Sequence, residues 1–188
     1  STRRRQRQMC IRDRDMPFQH ISDPVLKKMN RKITRKEIEA NMARVRRQLP
    51  DVAWRTTFIV GFPTETDQDF EELVDFVSEG HFQHLGIFLY SDEDNIRSSK
   101  FGDPIPISLK EERKNRLMEI QQKISREHHQ KMVGSLQQVL VGGFSSETDL
   151  LLEGRNQYQG PEVDGFVYIN EGNATSAGFH QVEITEAH

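Results

Sequence analysis

The chain has 188 residues, enough for one domain or one and a half, and its 35% hydrophobic content is set against 29% charged residues, a polar composition that argues against a membrane protein. No apolar run approaches the roughly 20 residues of a membrane helix, and no apolar stretch follows the arginine-rich start to make a signal peptide. A single cysteine, Cys10, excludes a disulfide framework and an all-cysteine metal or cluster site within the chain; with these features the expected compartment is the cytoplasm. The net charge of −3 identifies no partner, although a basic opening (Arg3, Arg4, Arg5, Arg7, then Arg44, Arg46 and Arg47) precedes an acidic stretch from Asp67 to Glu79. Basic runs can meet nucleic acid, but a solvated helix face is the simpler reading here.

Residues 1–14 have no periodicity and read as disordered or as a damaged strand. Met16 to His20 is a short segment, and Ser22-Asp23-Pro24 starts a helix with proline near its first position. Val25, Leu26 and Met29 would be its buried face. Thr34 and Glu37 form a capping-box pattern. Ile38, Met42, Val45 and Leu49 follow at helical spacing until Pro50. Trp54 to Val60 is a strand rich in β-branched and aromatic residues. Gly61-Phe62-Pro63 breaks it, and Thr64 and Thr66 lead into an acidic first turn suited to a helix N-terminus. Phe70, Leu73, Val74 and Val77 share one face, and Gly80 is a stop. Leu85 to Tyr90 is a near-continuous apolar run, the pattern of a strand covered on both faces.

The order strand, helix, strand, helix, strand over 16–90 predicts a parallel sheet with right-handed crossovers. Three strands are too few to close a barrel, so the expectation is the C-terminal part of a larger α/β enzyme. Asp103-Pro104-Ile105-Pro106 is a linker. Ser108 and Glu111 suggest another capping box, opening a long helix to about Met132 with Leu117, Ile120 and Ile124 as its stripe. Beyond Gly134 come short strands, at 137–141, 150–153, 165–169 and 181–184, which predict a small antiparallel barrel of OB-like size. The expected domains are 1–133 and 134–188.

The most informative segment is Ile59 to Thr66. A strand ends, a glycine permits close approach, and a helix N-terminus presents free N–H groups, as at the ligand-binding strand ends of α/β folds. An ordinary, well-capped βα loop fits the spacing too. Gln19 and His20 sit at another strand end, where they could serve a ligand or a helix-entry turn. Arg55, inside an apolar strand, needs an acidic partner, either a ligand carboxylate or a structural acid. His128 and His129 are adjacent on a helix and make a poor metal pair. No P-loop or GxGxxG motif is present.

Five segments together resemble the radical-SAM methylthiotransferases: Asp15-Met16-Pro17-Phe18-Gln19-His20, Val25 to Arg31, Arg55 to Thr66, Gly86 to Ser91, and Lys110-Glu111-Glu112-Arg113. The resemblance is greatest to the branch that methylthiolates an aspartate of a small-subunit ribosomal protein. The tRNA-modifying branch usually has serine and glycine where this chain has His20 and Ile21, and it differs at Arg55 to Phe58. The run Gly160 to Gly165 is similar to the ribosomal-protein branch and falls in what would be the TRAM domain. Departures from the family are Asp13-Arg14, where it has apolar residues, and Asn95-Ile96-Arg97, where it has a glycine-threonine turn.

The resemblance implies the C-terminal half of a TIM-like (β/α) radical-SAM barrel followed by a TRAM domain. It implies S-adenosylmethionine and two [4Fe–4S] clusters in the full-length enzyme, one generating a 5′-deoxyadenosyl radical that takes hydrogen from the aspartate β-carbon and one supplying sulfur. None of the cluster ligands is in this chain, since Cys10 matches a cysteine that is not a ligand, so the chain alone should be inactive. It further implies that Gln19, Arg55 and the Gly61 to Glu65 loop line the S-adenosylmethionine pocket, with the backbone at Phe88 to Tyr90 beside the adenine or methionine. The partner would be a small-subunit ribosomal protein held by the TRAM domain, or RNA. The alternatives are a tRNA methylthiotransferase and a non-catalytic module that binds RNA or ribosomal protein.

Overall fold

In the computed structural model, which describes residues 13–92, 100–160, 164–172, 174 and 178–187, two sheets are linked by a long helix. Cys10, the arginines of the opening, the 95–97 turn and residues 161–163 lie outside the described residues. Contacts divide the chain into a unit of Arg14–Ser125 and a unit that takes Arg126 onward.

The first unit runs β1 (Asp13–Asp15), α1 (Asp23–Lys28), α2 (Arg35–Gln48), β2 (Ala53–Val60), α3 (Asp67–Ser78), β3 (His84–Leu89) and α4 (Ile107–Gln130). Its sheet has the order β1-β2-β3. β2 and β3 are parallel, with Phe58 opposite Ile87, and past β1 a parallel bridge sets Gln19 beside Phe58. The helices start where local chemistry supplies caps. Thr34 accepts from the Glu37 N–H while Glu37 accepts from the Thr34 N–H at 2.8 Å, and Thr66 and Asp69 repeat the arrangement at 2.9 Å.

Burial alternates along β2. Trp54, Thr56, Phe58 and Val60 are buried, while Arg55, Thr57 and Ile59 are half-buried. The buried apolar set packs with Ile38 and Met42 of α2, Leu73, Phe76 and Val77 of α3, and Leu117 of α4. Each such side chain contributes about 1.5–3 kcal/mol. In β3 the contrast is confined to its C-terminal half, with Ile87 buried and Phe88 59% exposed. This corrects the expectation of a strand covered on both faces: among the described residues β3 lies at the edge of its sheet, with one face under the helices.

The start of α4 also departs from expectation. Pro106 occupies the capping position, accepting from Leu109 and Lys110 N–H at 3.1 Å, so Ser108 lies inside the first turn and forms no capping box. The helix buries Lys110, Arg113, Leu117 and Gln121, a stripe in which three of four members are polar.

The second unit holds β4 (Leu136–Phe144), β5 (Leu152–Arg155), β6 (Val167–Ile169) and β7 (Gly178–Glu183), all antiparallel in the order β6-β5-β4-β7. Val139, Val141 and Ile169 form its core. The chain irregularity between Val141 and Gly143 bends β4, and Gly154 lies so close to it that a Cβ would stand 2.8 Å from the Leu140 carbonyl oxygen. Four antiparallel strands are present as expected, but among the described residues neither sheet closes into a barrel.

Replacing the Thr34 cap by alanine should lower the unfolding free energy by about 1 kcal/mol, measured in urea. A change within a few tenths would mean that the cap is idle.

Candidate functional site

Because β1, β2 and β3 run the same way, their C-terminal ends come to one edge of the sheet. Gln19 and His20 follow β1, Gly61 to Glu65 follow β2, and Tyr90 follows β3. Backbone bonds hold the edge together: Gln19 N–H donates to the Thr57 carbonyl, Ile59 N–H to the Gln19 carbonyl and Tyr90 N–H to the Val60 carbonyl, each at 2.9 Å. Gln19 and Gly61 both take left-handed backbone, φ 70° and 75°.

Glu65 organises this edge. Its side chain is buried, one oxygen accepting from Arg113 Nη1 at 2.9 Å. The other accepts the N–H groups of Gly61 at 2.7 Å and Phe62 at 3.2 Å. Burial pushes the Glu65 carboxyl above the ordinary carboxylate range, against the pull of Arg113 and the two N–H groups. Arg113 spans from Glu65 to Asp67, 2.6 Å from its second guanidinium nitrogen. One turn earlier on α4, the buried Lys110 ammonium donates to the Tyr90 carbonyl at 2.8 Å and to Asp103 at 2.6 Å. The stem of Lys110 fills the space beside Gly61, where a Cβ would collide with its Cγ and stand 2.7 Å from its Cδ. Glycine is therefore required here by Lys110 as well as by φ.

His20 is fully buried. Its Nδ1 accepts the Ser22 N–H at 3.0 Å, which leaves the proton on Nε2. Nε2 has no hydrogen-bond partner and stands 3.9 Å from the nearer Glu65 oxygen. Burial holds the imidazole down at about 4; Asp69 pulls it up and Arg113 pushes it further down. Burial works against Asp69 too, but hydrogen bonds from Ser22 and Thr66 keep its carboxyl below the ordinary range. Ser22 Oγ donates to Asp69 instead of capping its own helix.

The sequence-derived candidates fall into three places. Gln19, Gly61, Glu65 and Tyr90 converge on the strand-end edge. Phe88, in register with Ile59, lies beside it on the sheet face away from the helices. Arg55 shares that face but stands six residues before Gly61, about 20 Å along the strand. Glu65 and Tyr90 are largely committed to internal bonds, Tyr90 packing edge-on to Phe62 at 5.3 Å. Lys110, Arg113, Ser22 and Asp69 also belong to this edge, although the sequence pattern does not mark them as site residues. On a helix rich in charge, two cations three residues apart look solvated; the available signal was that both fall on the stripe of Leu117. Among the described residues no cluster of three His, Cys, Asp or Glu could hold a metal.

The second unit has a different electrostatic character. Over residues 133–188 one cation, Arg155, faces eight carboxylates, a net of −7.

The folded protein keeps His20 unprotonated down to about pH 4, whereas the unfolded chain protonates it near 6.5. The unfolded state thus binds more protons between these values, and the His20 contribution, about 3 kcal/mol in full, is lost as pH falls through that window. Urea unfolding from pH 7 to 4 should show this loss, and His20→Asn, which keeps an acceptor for Ser22, should remove that part of the slope. An equal slope in both proteins would contradict the assignment.

Comparison with known proteins finds the Radical SAM superfamily over residues 15–77 and a TRAM domain over 133–188. A ribosomal protein uS12 methylthiotransferase RimO from Bdellovibrio bacteriovorus is 50% identical over 92% of this chain and 38% of the relative. The proteins of that name from Geobacter sulfurreducens and Desulfotalea psychrophila are 43% and 46% identical over 92% of this chain and 39% of each relative. The chain therefore spans under two fifths of the length of the curated relatives it matches. Residues 15–77 thus match the radical-SAM model and residues 133–188 the TRAM model, and over 92% of its length the chain is similar to ribosomal protein uS12 methylthiotransferases.

Proposed function

We propose that the whole protein methylthiolates the β-carbon of an aspartate in ribosomal protein uS12, and that this chain supplies one wall of the S-adenosylmethionine site and the sheet that docks the substrate. The observation that carries this reading is the 50% identity to a uS12 methylthiotransferase across both units.

The residues present do not fit a [4Fe–4S] cluster. Such a cluster takes cysteine thiolates, and the sequence has one cysteine. Cluster ligation would therefore fall to other residues of the full-length enzyme.

The fit to S-adenosylmethionine is better. Phe88 and Ile59 offer apolar surface for a flat nucleoside beside the strand-end edge. Thr64 Oγ1 in the β2 loop is buried without a hydrogen-bond partner. When bound, the cofactor supplies a reactive sulfonium. The chain's part is to bind and orient it: the Gly61 to Glu65 loop and the Gln19 turn as a floor, the Phe88 to Tyr90 backbone alongside, and the long Arg55 side chain on the same face for its carboxylate.

The net charge of −7 over 133–188 favours a basic protein partner. RNA phosphates would meet repulsion there, whereas RNA binding normally rests on lysine and arginine. No helix among the described residues is long and apolar enough to cross a membrane, in keeping with work on ribosomal components in the cytoplasm.

In a strain lacking the gene, mass spectrometry should show uS12 without its methylthio group and tRNA unaltered. Loss from tRNA with uS12 intact would move the protein to the tRNA-modifying branch. In the full-length protein, Arg55→Ala should weaken S-adenosylmethionine binding at least tenfold by calorimetry; unchanged affinity would take Arg55 out of the site.

A further inference from the structure

We infer that Lys110 and Arg113 are positioning residues: from one face of α4 they fix the C-terminal ends of β2 and β3 in the form that receives S-adenosylmethionine. The inference rests on the proposed cofactor site and names the groups that shape it from behind.

Three residues apart, the two cations lie on the same side of the helix. They are 1% and 4% exposed, a rare state for such groups unless each is paired. Each is paired, and to a different strand end. Lys110 takes the Tyr90 carbonyl and Asp103. Arg113 takes Glu65, whose other oxygen holds the Gly61 and Phe62 N–H groups, and Asp67. The β2 loop is thus gripped twice, by the Lys110 stem against Gly61 and by Arg113 through Glu65. Phe62 in turn packs on Tyr90, so the two strand ends move together.

Stability alone is a poor reason for this arrangement. Both cations stand in the first two turns of α4, at the positive end of the helix dipole. Buried ion pairs are often no more stable than apolar residues of similar size. What they provide that apolar side chains cannot is direction: each bond fixes a named backbone group. Arg116, on the same helix, provides the contrast. It pairs with Glu71 at 2.8 Å, but both side chains are about half exposed and touch neither strand end.

The test uses Lys110→Met and Arg113→Leu, which keep apolar stems in place, with Arg113→Lys as the conservative variant and Arg116→Gln as control. In this chain, amide exchange at Gly61 and Phe62 should rise at least tenfold in Arg113→Leu, recover in part in Arg113→Lys, and stay unchanged in Arg116→Gln. In the full-length protein, Lys110→Met and Arg113→Leu should each bind S-adenosylmethionine at least tenfold more weakly, with the control at wild-type affinity. Variants that fold and bind as tightly as wild type would overturn the inference, and so would variants that fail to fold even as Arg113→Lys. A wild-type protein that binds no S-adenosylmethionine would instead defeat the cofactor reading, and this inference with it.

Discussion

The buried Glu65 carboxylate ties parts of the first unit together with directed bonds that the apolar core does not supply. Glu65 sits at the entry to α3, holds the backbone that leaves β2, and meets Arg113 of α4. A carboxylate out of water needs several donors at once. Here they are a guanidinium and two N–H groups, drawn from separate elements. Remove one and the others face an incompletely satisfied charge. That mutual need makes the geometry specific, while the apolar layer of Phe58, Leu73, Phe76 and Leu117 supplies most of the driving force.

His20 shows what such a cluster does to its neighbours. A histidine beside two carboxylates would ordinarily gain a proton more easily. Burial reverses this, and the nearby Arg113 guanidinium adds to the depression. The imidazole then acts as a neutral acceptor for Ser22, and Ser22 is left to serve Asp69 across the sheet edge. A chain of short-range bonds therefore runs from the β1 turn to the cap of α3, using polar residues in a place where the fold alone asks only for packing.

Much of the fold was legible because local rules decided it. Thr34-Glu37 and Thr66-Asp69 cap helices by chemistry that needs no tertiary context, and Gly80 stops α3 in left-handed backbone. The run 85–90 misled because apolar identity does not reveal whether a neighbour covers a face; Phe88 is as apolar as Ile87 and lies exposed. Ser108 misled because Pro106 could begin the helix two residues earlier. In the candidate site, the strand-end logic pointed to Gln19 and the Gly61 to Glu65 loop, and the family resemblance added Tyr90. Neither could tell which atoms are spent on the protein itself. Glu65 and Tyr90 proved to be largely so, and the groups that spend them, Arg113 and Lys110, arrive from 48 and 20 residues away along the chain. No local pattern encodes that meeting.

The Glu65–Arg113 interaction holds the strand-end edge. A double-mutant cycle with Glu65→Gln and Arg113→Met, read as unfolding free energies of this chain, measures it directly. A coupling of about 2 kcal/mol or more is expected, the double variant being far less destabilised than the two single variants would suggest in sum. Additive effects, with coupling near zero, would contradict it.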